Sequence, residues 1–103
     1  GREWRRDGTT ADLVWTDVLA ARRDLDPRET RTASRELYLS YRRDGERVEA
    51  FFPDAPAVRA KVRMLLSRHP RIHGVYAWMM GQEDPRVWRE LAHLLHTRAK
   101  AER

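Results

Sequence analysis

Few residues in this chain are placed to do chemistry. Glu83 and Asp84 are adjacent carboxylates, the pairing that general acid–base catalysis uses, and His93 and His96 stand one helical turn apart. Each has a plainer explanation. Asp84 precedes Pro85 and an apolar-periodic run, which is the pattern of a helix N-cap with proline in the first turn, and Glu83 sits beside it in the loop. The histidines lack a His-Glu-x-x-His pattern and a third ligand, while His69 and His73 flank Pro70 and read as helix-end and surface residues. The five glycines are dispersed, so no phosphate-cradling loop forms, and without cysteine there is no thiolate nucleophile, disulfide or cysteine-type zinc site. No catalytic residue, metal site or cofactor is expected.

Composition sets the frame for these residues. A chain of 103 residues holds at most one modest core, and 41% hydrophobic content with nine per cent aromatics argues for a folded one. The formal charge of +5 would favour a polyanionic partner if it were clustered. Instead Arg5-Arg6, Arg22-Arg23 and Arg42-Arg43 each stand beside Asp or Glu, and Lys61 and Lys100 are the only lysines. No apolar run approaches the ~20 residues that cross a bilayer, so no membrane partner is expected and the chain reads as soluble.

The elements emerge from periodicity. Thr9-x-x-Asp12 resembles a capping box and leads into Leu13, Val14, Val18, Leu19, Ala21 and Leu25 at helical spacing, giving a helix over 11–25 that Asp26-Pro27 ends. The polar stretch 28–35 reads as loop or frayed helix. From Glu36 the period becomes two. Leu37, Leu39 and Tyr41 face Phe52, Ala50 and Val48 across an Asp44-Gly45 turn, so one side of the hairpin is apolar at every opposed pair. On the other side Tyr38 meets Phe51 and Arg42 opposes Arg47, which predicts a wet turn end. Asp54 caps a second helix with Pro56 in its first turn and Val58, Val62, Leu65 and Leu66 as its stripe. Residues 71–80 read as a strand too continuously apolar for an exposed edge, and Val87, Trp88, Leu91, Leu94 and Leu95 give a third helix one apolar side. The expected order is αββαβα: an insertion-like helix and hairpin over 1–52, then helix, buried strand and final helix over 53–103.

A strand buried on both faces needs parallel neighbours and helices above and below, which one hairpin and one further strand cannot supply. The closing section of a (β/α)8 barrel fits that demand, since its last strand delivers a residue at its C-terminal end before a final helix seals the ring. The fold class expected is therefore α/β, the end of such a barrel with a small α+β insertion, incomplete as a barrel alone.

The stretch Gly74-Val75-Tyr76-Ala77-Trp78-Met79-Met80-Gly81-Gln82-Glu83-Asp84-Pro85-Arg86-Val87-Trp88 resembles the last strand and helix of family 18 glycoside hydrolases, in particular the bacterial branch acting on peptidoglycan and related N-acetylglucosamine polymers. Tyr38-Leu39-Ser40-Tyr41, Asp44-Gly45, Val48 to Phe52 and Pro53 to Lys61 look like that branch's inserted hairpin and seventh helix, and Gly1-Arg2-Glu3-Trp4 looks like the segment just after its seventh strand. The resemblance implies that Trp78 forms the floor under the sugar at the cleavage point, and that Trp4 lines the same cleft. An indole suits that task because a pyranose packs its axial C–H groups on an aromatic face while its hydroxyls find polar neighbours.

The same resemblance marks an absence. The family's acid lies in an Asp-x-x-Asp-x-Asp-x-Glu motif after its fourth strand, and this sequence contains none. The chain would then supply substrate floor and barrel closure, be inactive by itself, and have as partners an N-acetylglucosamine polysaccharide and either the remaining barrel or a second copy of itself. An extracellular or cell-envelope location would go with that role. The alternative is a self-standing basic αββαβα module that binds nucleic acid or a protein partner through Arg22, Arg23, Arg42, Arg43 and Arg47.

Overall fold

A computed structural model of the chain describes residues 1–71, 74 and 81–101. Among the described residues the chain is mixed α/β: a five-stranded antiparallel sheet and three helices. The strands are β1 (Arg2–Arg5), β2 (Thr10–Asp12), β3 (Arg28–Arg31), β4 (Leu37–Arg43) and β5 (Glu46–Phe52), in the spatial order β2-β1-β5-β4-β3. The helices are α1 (Trp15–Asp24), α2 (Ala55–Arg68) and α3 (Val87–Ala101).

The hairpin β4–β5 anchors the sheet, and its register is the one the sequence dictates: Leu37 opposite Phe52, Leu39 opposite Ala50 and Tyr41 opposite Val48. Asp44 and Gly45 both take positive φ, +53° and +80°, as a two-residue turn matched to strand twist requires. The core side of the hairpin packs on Leu13, Val18 and Ala21, with Trp15 and Leu25 closing the margin. Helix α1 therefore covers one face of the sheet. Among the described residues, no element covers the other.

Three expectations need correction. The helix expected over 11–25 begins only at Trp15, because Thr10–Asp12 pair with β1 as strand β2; its first turn is closed by Asp17, whose Oδ2 accepts the Val14 N–H at 2.9 Å, and not by Thr9-x-x-Asp12. The loop or frayed helix expected over 28–35 contains strand β3, whose four residues are all exposed and carry charge except at Thr30. Such a charged margin blunts an edge that would otherwise pair with another chain. Residues 2–5, to which the expected order αββαβα assigns no element, form strand β1. Among the described residues the order is thus ββαβββαα, not αββαβα.

A second apolar cluster begins just past the sheet. Ala55, Val62, Val87 and Leu91 are buried together, with Val58, Leu66 and Leu94 against them, so α2 and α3 pack side by side. Asp54 is the N-cap of α2, accepting the Ala57 N–H, and Pro56 lies in the first turn as its missing N–H allows. Of the strand expected over 71–80, Arg71 stands in a turn and Gly74 lies outside regular structure. The remaining positions, Trp78 included, lie outside the described residues.

Candidate functional site

The uncovered sheet face collects side chains by register. Trp4 lies opposite Glu49, which lies opposite Ser40, which faces Arg28. In the neighbouring row Arg2, Phe51, Tyr38 and Thr30 stand in line. Tyr38 and Phe51 stack at 5.2 Å between ring centroids, tilted by 54°, within the range where aromatic pairs attract. At the turn end Arg42 and Arg47 stand directly opposed. Trp4 is 48% exposed, the most open of the large apolar side chains in the sheet. Two surface depressions meet on this arginine pair. One runs to Tyr38, Ser40 and the Asp24–Arg28 loop, the other to Trp4, Arg5 and Glu49. A planar apolar surface flanked by hydroxyl, carboxylate and guanidinium groups offers ring packing and directional hydrogen bonds together.

Trp4 is where the sequence places a candidate binding residue, and the structure gives it neighbours that the sequence pattern alone does not. Without β1 as a strand, nothing links Trp4 to Tyr38, Phe51 and Ser40. Once β1 is paired with β5, strand alternation sends Trp4 to one side and Glu3 to the other.

Glu3 goes inward and is 5% exposed. Its Oε1 accepts from the Arg43 guanidinium, with Arg5 at 3.8 Å. The Arg43 guanidinium also lies over the Tyr41 ring, 5.6 Å from its centroid. The Tyr41 hydroxyl is buried without a hydrogen-bond partner among the described residues. Burial, reinforced by the nearby Glu3 carboxylate, pushes its pKa above the ordinary phenol value.

The densest polar cluster lies where the two apolar cores meet. Asp54 and Asp84 are 1% and 0% exposed. Asp54 takes a two-pronged contact from Arg31 of β3. Asp84 accepts the Ala55 N–H at 2.9 Å, the Arg86 N–H at 3.0 Å and the Arg86 guanidinium, Nη2 to Oδ2 at 2.7 Å. Burial alone would raise the Asp84 pKa, but the Arg86 contacts and the Ala55 and Arg86 N–H groups outweigh it and hold the carboxyl below its ordinary value. Trp15 bridges the cores: its backbone N–H donates to the Gln82 carbonyl at 2.9 Å, and its ring packs 5.6 Å from Phe52, with the guanidiniums of Arg22 and Arg86 each 5.5 Å from its centroid. Both buried carboxylates here are committed to a helix N-terminus and an arginine, which makes the cluster a joint between layers.

The remaining candidates separate. Glu83 accepts the Trp88 indole N–H at 3.0 Å, and backbone N–H groups of its own loop together with that indole lower its pKa. Neither Glu83 nor Asp84 therefore holds a proton near neutral pH, as a general acid must. His93 and His96 are exposed on α3, and no group of three or more metal-ligating side chains forms among the described residues. The five arginines expected of a nucleic-acid face do not share one: Arg22 pairs with Glu29, Arg23 with Asp24 and Arg43 with Glu3, leaving Arg42 and Arg47 on the uncovered side. Among the described residues, no helix is long and apolar enough to cross a membrane.

Comparison with protein-family models, with curated proteins and with solved structures finds no match to this chain. Fold and site together define a small mixed α/β unit whose sheet has one face covered by helix α1 and one left uncovered by the described residues.

Proposed function

We propose that the chain is the C-terminal section of a family-18-type glycoside hydrolase acting on an N-acetylglucosamine-containing polysaccharide, peptidoglycan or chitin, and that it contributes substrate contact and barrel closure but not the catalytic acid. The observation that carries the reading is the exposed Trp4 indole opposite Glu49, on the same sheet face as Phe51 of the adjoining strand and Tyr38 and Ser40 one strand further on, a surface suited to the C–H face of a pyranose. By the sequence resemblance, Trp78 adds the floor under the sugar at the cleavage point.

The arrangement of cores supports the same reading. Residues 13–52 build one cluster and residues 55–94 another, and the change falls between Phe52 and Asp54, where the resemblance divides the insertion from the seventh helix. Met64 and Leu65 of α2 and Trp88 of α3 remain exposed, apolar surface of the kind that further barrel elements would cover. An extracellular or cell-envelope setting goes with this substrate class.

Equilibrium titration of the chain with an N-acetylglucosamine hexamer tests the proposal. Saturable binding that Trp4→Ala weakens by about tenfold or more is expected, in line with the weight of aromatic platforms in binding sites. No binding at millimolar hexamer would refute it. The chain by itself should release no product from chitin oligomers or peptidoglycan, and hydrolysis by these 103 residues would contradict the assignment of the acid elsewhere.

A further inference from the structure

The paired guanidiniums at the turn end of the uncovered face are not accounted for by a neutral sugar. Arg42 and Arg47 are directly opposed across β4 and β5, a placement in which like charges repel. The hairpin core does not require it, since both side chains are exposed. Several arginines around the sheet are committed, Arg22 to Glu29, Arg31 to Asp54 and Arg43 to Glu3, while exposed Arg6 lines the same depression as the pair and adds to its positive charge. Arg42, by contrast, donates only to the Gly45 carbonyl at 3.2 Å, and Arg47 reaches Glu49 at 3.5 Å through solvent-exposed ends, among the described residues. Most of their donors are left for something that arrives from outside. Both line the depression that also contains Trp4, and Trp4 faces Glu49, two positions along β5 from Arg47, or about 7 Å at strand rise. That separation is enough to place a ring and a charged group of the next ring on different side chains.

We infer that this face takes an acidic glycan, with the Trp4 indole under an N-acetylhexosamine ring and the Arg42–Arg47 pair holding a carboxylate on the adjacent sugar. The inference rests on the carbohydrate reading and narrows it to a substrate class. Guanidinium groups match carboxylates in planar, two-pronged geometry, and an anion between them removes the repulsion that the bare pair carries. Glu49 beside the pair admits one carboxylate at a fixed position better than a continuous polyanion.

The test compares two hexasaccharides on the intact chain: an N-acetylglucosamine hexamer, and a hyaluronan hexamer in which N-acetylglucosamine alternates with glucuronic acid. Oligo-dT is the third probe. At low salt the hyaluronan hexamer should bind about tenfold tighter than the neutral one, as charge-assisted hydrogen bonds would give. The advantage should shrink with added salt and disappear in an Arg42→Gln/Arg47→Gln double variant, whose circular dichroism should be that of the parent. Equal affinity for the two hexamers, or an advantage that survives in the double variant, overturns the inference and leaves the carbohydrate reading intact. If neither hexamer binds, that reading fails first and the inference with it. Oligo-dT binding that exceeds both and is lost in the double variant overturns the inference in favour of a nucleic-acid surface.

Discussion

Asp84 accepts the backbone N–H of Ala55 at 2.9 Å across 29 positions of sequence, so one fully buried carboxylate serves the first turn of α2 while its own backbone carbonyl accepts from Val87 at the start of α3. Both helix starts carry unpaired N–H groups and partial positive charge. One residue answers both of them, and its carboxylate is itself neutralised by Arg86. Asp84→Ala should therefore lower the stability of the chain by about 2 kcal/mol, the cost of a lost cap together with an orphaned buried donor. Urea unfolding followed by circular dichroism measures it. A change near zero would mean that the joint between the cores carries no weight.

The same carboxyl predicts a pH dependence. Its folded pKa lies below the ordinary value, so the folded chain binds fewer protons than the unfolded one in the acid range. The stability it contributes is present above about pH 4 and is lost as the pH falls through the folded value. Asp84→Asn should flatten that acid limb while costing stability at neutral pH. Parallel acid limbs in parent and variant would show that other groups control acid unfolding.

Tyr41 gives the opposite sign. Its hydroxyl is buried with no described hydrogen-bond partner, and its pKa is raised. A group harder to ionise in the folded state contributes stability that is present below about pH 10 and lost as pH rises towards the folded value. Tyr41→Phe removes an unsatisfied polar atom without emptying the core, so it should be neutral or stabilising by up to about 1 kcal/mol at pH 7. It should also weaken the alkaline loss. Destabilisation beyond that size would reveal a hydrogen bond at the hydroxyl.

The parts of the fold legible in the sequence are those where local chemistry and global packing agree. Asp44-Gly45 fixes the turn, and the turn fixes the β4–β5 register to the residue. Asp54 announces the start of α2 with proline in its first turn, whereas the cap-and-proline pattern at Asp84-Pro85 marks a turn, and α3 begins beyond it at Val87. Strands β1 and β3 are not legible, since Arg2-Glu3-Trp4-Arg5 has one apolar residue and Arg28-Glu29-Thr30-Arg31 has none. Their pairing is created by the hairpin they flank, and a buried Glu3 held by Arg43 leaves no hydrophobic trace. The same gap hides most of the candidate surface: alternation places Tyr38 opposite Phe51, but only the β1–β5 register puts Trp4 on that side.

The measurement that bears most directly on the proposed role is chemical-shift mapping by NMR as an N-acetylglucosamine hexamer is added to the chain. Perturbations centred on the Trp4 indole and spreading to the amides of Tyr38, Ser40, Glu49 and Phe51 are expected, with α1 on the opposite face unaffected. Shifts confined to α1, α2 or α3, or none at saturating sugar, would contradict a carbohydrate seat on the uncovered sheet face.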